Sequence, residues 1–285
     1  MFRTKLILFF SVSFLCSCMT RVESPPPACL AKAIALTEAG RSAFESGDYG
    51  IAEKNYGAAL ELHRSFDNPA GILRNLHNLA VVQRSAGRRS EARESLAAID
   101  RYLDTRRLAS PSEALGPECT QLLAEARWLL VRLSMDDQNW DRAQDELSQA
   151  LGESAFRNDA RLLNLQARLF LQCGNFGSAK QAATKGWSNS RSAEDSADAA
   201  RLHAKSAEGL GDSTTAIRWF TEALKFDQKL ARSKSVTDDL LGLARACRQA
   251  GETSRAQAYA SRALQAAQAA KDSQRAQEAK ALLID

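Results

Sequence analysis

Between Leu36 and Leu62 the apolar positions recur with the period of amphipathic helices, interrupted once at Gly47-Asp48-Tyr49. Ala52, Tyr56 and Ala59 follow that break four and seven residues apart, on one helical face. The pattern predicts two helices joined by a tight turn. It recurs at Gly87-Arg88-Arg89 with Ala92 and Leu96, and at Gln138-Asn139-Trp140 with Ala143, Leu147 and Ala150. Three more copies are Gly174-Asn175-Phe176 with Ala179, Gly211-Asp212-Ser213 with Ala216, Phe220 and Ala223, and Gly251-Glu252-Thr253 with Ala256, Ala260 and Ala263. The turns are spaced by 40, 51, 36, 37 and 40 residues. The long gap holds Leu108 to Pro117, with Pro111, Gly116 and Pro117, and predicts a true loop or hinge. Ser273 to Ile284 keeps helical spacing without a partner helix, as a terminal cap does.

Composition agrees with this pattern. Six prolines and fifteen glycines among 285 residues, with 45% apolar and 25% charged positions, suit a folded all-α chain and leave little room for sheet or wholesale disorder. The formal charge of +4 falls to +2 once Arg3 and Lys5 are set aside, too balanced to argue for nucleic acid.

The six turn-and-alanine signatures resemble the tetratricopeptide repeat, and the resemblance covers residues 30–285. It implies an α-solenoid of about six helix hairpins with a C-terminal capping helix, although the spacings exceed the usual length of about 34 residues. An α-helical stack with unrelated pairing is the alternative. In the resemblance the first helix of each pair lines a concave groove. Counting the turn residue as position 15, position 9 falls on Arg41, Val81, Arg132, Arg168, Lys205 and Arg245. Neighbouring groove candidates are Arg74, His77, Arg84, Arg161, Arg201 and Arg248, with Trp128 as an apolar anchor or a packing residue.

Guanidinium groups pair bidentately with carboxylates, so this row suits an acidic protein or peptide segment, or a partner's C-terminal carboxylate. The competing reading is a solvated face neutralised by Glu38, Glu45, Glu125, Asp136, Asp198, Glu208 and Asp238.

Arg3 and Lys5 precede an apolar run from Leu6 to Leu15 that is too short to span a bilayer, the layout of an export signal. Leu15-Cys16-Ser17-Cys18 resembles the lipobox of bacterial lipoproteins, which implies cleavage after residue 17 and lipidation of Cys18. An ordinary cleaved signal is the alternative. Residues 18–29 then form a lipidated N-terminus and a stiff tether through Pro25-Pro26-Pro27. Met19 after Cys18 resembles lipoproteins sorted to the outer membrane, so a lipid-anchored protein of the cell envelope facing the periplasm is expected.

The histidines, His63, His77 and His203, lack metal-ligand spacing, and no phosphate-binding glycine loop or nucleophile turn is present, so neither metal nor cofactor is expected. His203 and Cys247 fall on adjacent repeats at positions that normally pack inside. Cys29 lies close enough to the tether to reach Cys119 or a second molecule, whereas Cys173 and Cys247 sit too far apart in a stack to bridge. The expectation is a membrane-anchored, non-enzymatic adaptor holding partner segments in its groove. A pilotin-like factor for pilus or secretin assembly, and an envelope enzyme with an unrecognised site, are the alternatives.

Overall fold

The computed structural model describes residues 26–284 of the chain; the segment read as an export signal, with Cys16 and Cys18, lies outside them. Thirteen helices and no strand occur among the described residues. They pair as α1 (Ala28–Glu45) with α2 (Tyr49–Ser65), α3 (Pro69–Ser85) with α4 (Arg89–Ala109), and α5 (Pro117–Asp136) with α6 (Trp140–Gly152). The C-terminal half pairs α7 (Ala160–Gln172) with α8 (Phe176–Asn189), α9 (Ala193–Gly209) with α10 (Ser213–Lys229), and α11 (Ser233–Gln249) with α12 (Thr253–Ala269). The last helix is α13 (Ser273–Ile284). Six hairpins and a cap are the predicted architecture, each hairpin closed at the turn read from sequence.

The turns share one local solution. Gly47, Gly87, Gly174, Gly211 and Gly251 take φ between 70° and 81°, a left-handed conformation that costs glycine nothing. Gln138 takes the same role at φ 57°. The following residue often caps the next helix: Asp48 accepts from the Ile51 N–H at 3.1 Å, and Asn139 from the Arg142 N–H at 3.1 Å. Asp67, Ala231 and Lys271 make the same turn between hairpins with φ of 45° to 55°, where no glycine marks it. Left-handed residues 211, 231, 251 and 271 therefore step by 20, each flanking helices of 17 residues. This accounts for the 40-residue spacing: each helix is nearly one turn longer than in a 34-residue unit.

Two boundaries differ from the sequence reading. α1 begins at Ala28 rather than at residue 30, because Pro27 sits at the N-cap, where its missing N–H interrupts nothing. The predicted loop is Ser110 to Gly116; Leu108 belongs to α4, while Pro117 starts α5. A cavity of about 470 Å³ lies beside this loop, between Leu103 and Phe156.

Packing is set by small residues. Ala52, Ala92, Ala143, Ala179, Ala216 and Ala256 are at most 3% exposed, each at the same distance after its turn. First helices touch one another along the stack: α3 meets α5, α5 meets α7, α7 meets α9, and α9 meets α11. No successive pair of second helices packs comparably among the described residues. The first helices thus form the inner wall and the second helices splay outward.

Gly242 in α11 shows how tight the contacts are, since a Cβ there would lie 2.4 Å from the ring of Phe220, itself fully buried. We expect Gly242→Ala to lower stability by about 1–3 kcal/mol, outweighing a helix-propensity gain of about 1 kcal/mol. Urea unfolding measures it, and an unchanged or raised midpoint would show that the ring yields.

Candidate groove

The inner wall carries the predicted basic positions, but it treats them differently along its length. At the N-terminal end α1, α3 and α5 enclose a cavity of about 660 Å³. Arg41 lies there, exposed and held by Glu38 and Glu45, each at 3.0 Å. Arg74 is paired to Glu118 across the gap between α3 and α5. His77 is half-buried on the same wall, and burial lowers its proton affinity. Arg161, next along, binds Glu125 at 3.4 Å and Asp159 at 3.5 Å.

The centre of the groove is different. Arg84 is fixed to Asp136 at 2.7 Å. Arg132 lies 3.9 Å from the same carboxylate and 5.6 Å from the ring centre of Trp128, which is half-buried and packed against the core. Arg168 lies 3.7 Å from Asp198. In both residues the buried Nε–H has no hydrogen-bond partner. Lys205 is exposed on the wall and makes no ion pair or hydrogen bond among the described residues. Desolvation by the surrounding concave wall lowers the proton affinity of Arg132, Arg168 and Lys205, with Asp136, Asp198 and Asp238 opposing the effect. Neighbouring cations add to it: Arg84 acts on Arg132, and Arg168, Arg201 and Arg245 act on Lys205. These three position-9 residues, on successive first helices, are cations without a full complement of counter-charge.

Two predicted groove residues belong elsewhere. Arg201 is buried, with its guanidinium bonded to Asp239 at 2.7 Å, to Asp198 at 3.0 Å and to Asp227. Those carboxylates come from α11, α9 and α10, so Arg201 ties adjacent hairpins together and is withdrawn from any ligand. Arg248 donates to the Leu282 carbonyl and fastens α13 to α11. Arg245 stays on the wall but is occupied by Glu208 at 2.8 Å and Glu278 at 2.5 Å.

Four further charged residues were not read from the sequence. Asp227 and Asp239 are fully buried, and burial raises Asp239 to about 6 despite Arg201. Arg232, opening α11, reaches Asp198 at 2.7 Å and Asp227 at 3.1 Å. Arg275 holds Asp238 at 2.7 Å. Burial opposes ionisation of Asp198, yet the Arg232 hydrogen bond and the Arg201 and Arg168 charges hold its carboxyl below the ordinary range.

The remaining histidine and cysteine side chains lie in packed surroundings. His203 stacks on Trp219 with ring centres 4.4 Å apart, and burial brings it down to about 4. Burial pushes the Cys247 thiol up, the opposite of what a nucleophilic cysteine needs. Cys29, Cys119, Cys173 and Cys247 are free thiols; Cys119 and Cys247 are buried. No group of three or more His, Cys, Asp or Glu is placed to hold a metal among the described residues.

An inner wall of first helices, glycine turns and close-approach alanines define the tetratricopeptide-repeat fold, and this chain has it. Among solved structures, a tetratricopeptide repeat protein from Parabacteroides merdae is 18% identical, with 88% of this chain and 93% of that one covered at a TM-score of 0.53. BtubC from P. vanneervenii is 14% identical, with 86% and 93% covered and a TM-score of 0.59. The pilF protein of Pseudomonas aeruginosa is 15% identical, with 73% and 88% covered and a TM-score of 0.52. No protein-family model and no curated protein matches the sequence.

The assignment of Arg201 to the core is testable. Arg201→Met should cost about 3–5 kcal/mol by leaving buried carboxylates without their cation, while Lys205→Met should stay within about 0.5 kcal/mol. Denaturant unfolding of both variants decides it; equal small losses would return Arg201 to the groove surface.

Proposed function

We propose that this protein is a non-enzymatic interaction scaffold that holds an acidic segment of a partner protein in its groove. The observation that carries this reading is the row Arg132, Arg168 and Lys205, whose charges the surrounding carboxylates leave incompletely matched. A carboxylate laid along the wall would meet the exposed ends of the two guanidinium groups, and Lys205 would meet it without first breaking a bond. Trp128 beneath Arg132 offers an apolar surface beside the charges. The shared fold with solved repeat proteins supports a binding role by analogy only.

We further propose that the scaffold works at a membrane of the cell envelope, held by lipid on Cys18. The support is sequence alone: the basic and apolar leader, the Leu15-Cys16-Ser17-Cys18 box, and the proline run that would hold the repeats off the surface. Met19 favours the outer membrane. No described helix is long and apolar enough to cross a bilayer.

Binding of a fluorescent peptide ending in a run of glutamates, followed by anisotropy, tests the groove. Arg168→Gln combined with Lys205→Glu should weaken it at least about tenfold, a loss of roughly 1.4 kcal/mol, and added salt should weaken the native protein's binding too. Unchanged affinity in the variant would remove the row from the binding role. For the anchor, radiolabelled palmitate should enter the chain in a bacterial host and be lost in Cys18→Ala; label retained in that variant would overturn the assignment.

A further inference from the structure

The groove is not uniform in charge, and this bears on what kind of segment it takes. In the N-terminal cavity four carboxylates, Glu38, Glu45, Glu118 and Glu125, face three guanidinium groups, Arg41, Arg74 and, reaching Glu125 from α7, Arg161. In the centre, above the buried Arg201 cluster, five cations, Arg84, Arg132, Arg168, Arg232 and Lys205, face the three carboxylates Asp136, Asp198 and Asp238. One end of the wall therefore carries an excess of negative charge and the middle an excess of positive charge. The ion pairs of the N-terminal cavity are also the exposed kind: Arg41, Glu38 and Glu45 are each more than half exposed. Such pairs hold weakly and exchange partners readily. Behind them Phe44, Val81 and Leu122 supply an apolar floor, which suits the methylene stem of a lysine or arginine whose charged head reaches the glutamates at the rim.

We propose that the groove selects an extended segment with segregated charge, a lysine- or arginine-bearing stretch with aliphatic neighbours in the N-terminal cavity and an acidic stretch on Arg132, Arg168 and Lys205. This rests on the acidic-segment reading above and adds a second, oppositely charged contact to it. The two contacts lie two to three hairpin layers apart, about 20–30 Å at about 9–10 Å per layer, which an extended chain covers in roughly six to nine residues. A short linear segment thus reaches both. The same polarity disfavours uniformly acidic ligands, which would meet Glu38, Glu45 and Glu118, and it disfavours mixed ones, which would place like charges together at both ends.

The test uses the full chain and three labelled peptides of equal length, followed by anisotropy. One carries a glutamate block and a neutral spacer; one joins a Lys-Leu block to a glutamate block through that spacer; the third contains the second peptide's residues with the charges alternating. The segregated peptide should bind about tenfold tighter than either of the others. In the double variant Glu38→Lys, Glu45→Lys that advantage should vanish while the glutamate-block peptide still binds, and circular dichroism of the variant should match the native chain. Equal binding of segregated and alternating peptides, or an advantage that survives the double variant, overturns the proposal and leaves the acidic-segment reading standing. Failure of the glutamate-block peptide to bind the native chain overturns the acidic-segment reading, and the proposal with it.

Discussion

The close approach of the two helices within each hairpin depends on a side chain that stops at its first carbon. Six alanines, each in the first turn after a hairpin turn, are almost wholly buried and let the second helix approach the first. Phe220 against Gly242 and Tyr56 against Gly40 show the complementary arrangement, in which a ring occupies the space left by a missing Cβ. A hairpin closed in this way still leaves one flank apolar, and it must be covered by the next hairpin. From that requirement follow the stack, the inner wall of first helices, and the capping of the last open flank by α13.

The wall then inherits a chemical pattern from the repeat. A residue type that recurs at one position of each first helix becomes a line of like charges, and a line of like charges inside a concave surface is unfavourable unless carboxylates interleave it. Asp136, Asp198, Asp238 and Glu208 do so. The compensation is unequal. It is complete at Arg201 and Arg245 and thin at Arg132, Arg168 and Lys205, and the proposed binding role rests on this inequality.

Much of the fold was legible because its signals are local. A glycine that needs positive φ, a capping Asp or Asn, and an alanine a few residues later all fall within one short window of sequence. The turns at Asp67, Ala231 and Lys271 were not legible, since the backbone conformation is the same but no glycine announces it. The groove was half legible. Register within a helix told which face Arg201 occupies, but not how deep it lies, because Asp227 and Asp239 sit 26 and 38 residues away on other helices. The acids three or four positions from an arginine were visible; those brought across by stacking were not. Arg248 was misplaced for the same reason, its partner Leu282 being supplied by the capping helix.

The buried cluster around Arg201 has a mechanical meaning as well as an electrostatic one. It joins α9, α10 and α11 through charged hydrogen bonds that resist sliding, whereas the stretch from Ser110 to Gly116 joins α4 to α5 through irregular backbone beside a cavity. The two joints are therefore fastened by different means. Arg74, Arg84, Arg89, Arg93 and Arg127 nonetheless cross the joint between the second and third hairpins, pairing with Glu118, Asp136, Asp137, Glu146 and Asp100 where the acidic cavity meets the cationic row. The spacing between the two charged stretches of the groove is thus set by side chains that cross the joint rather than by the connecting loop.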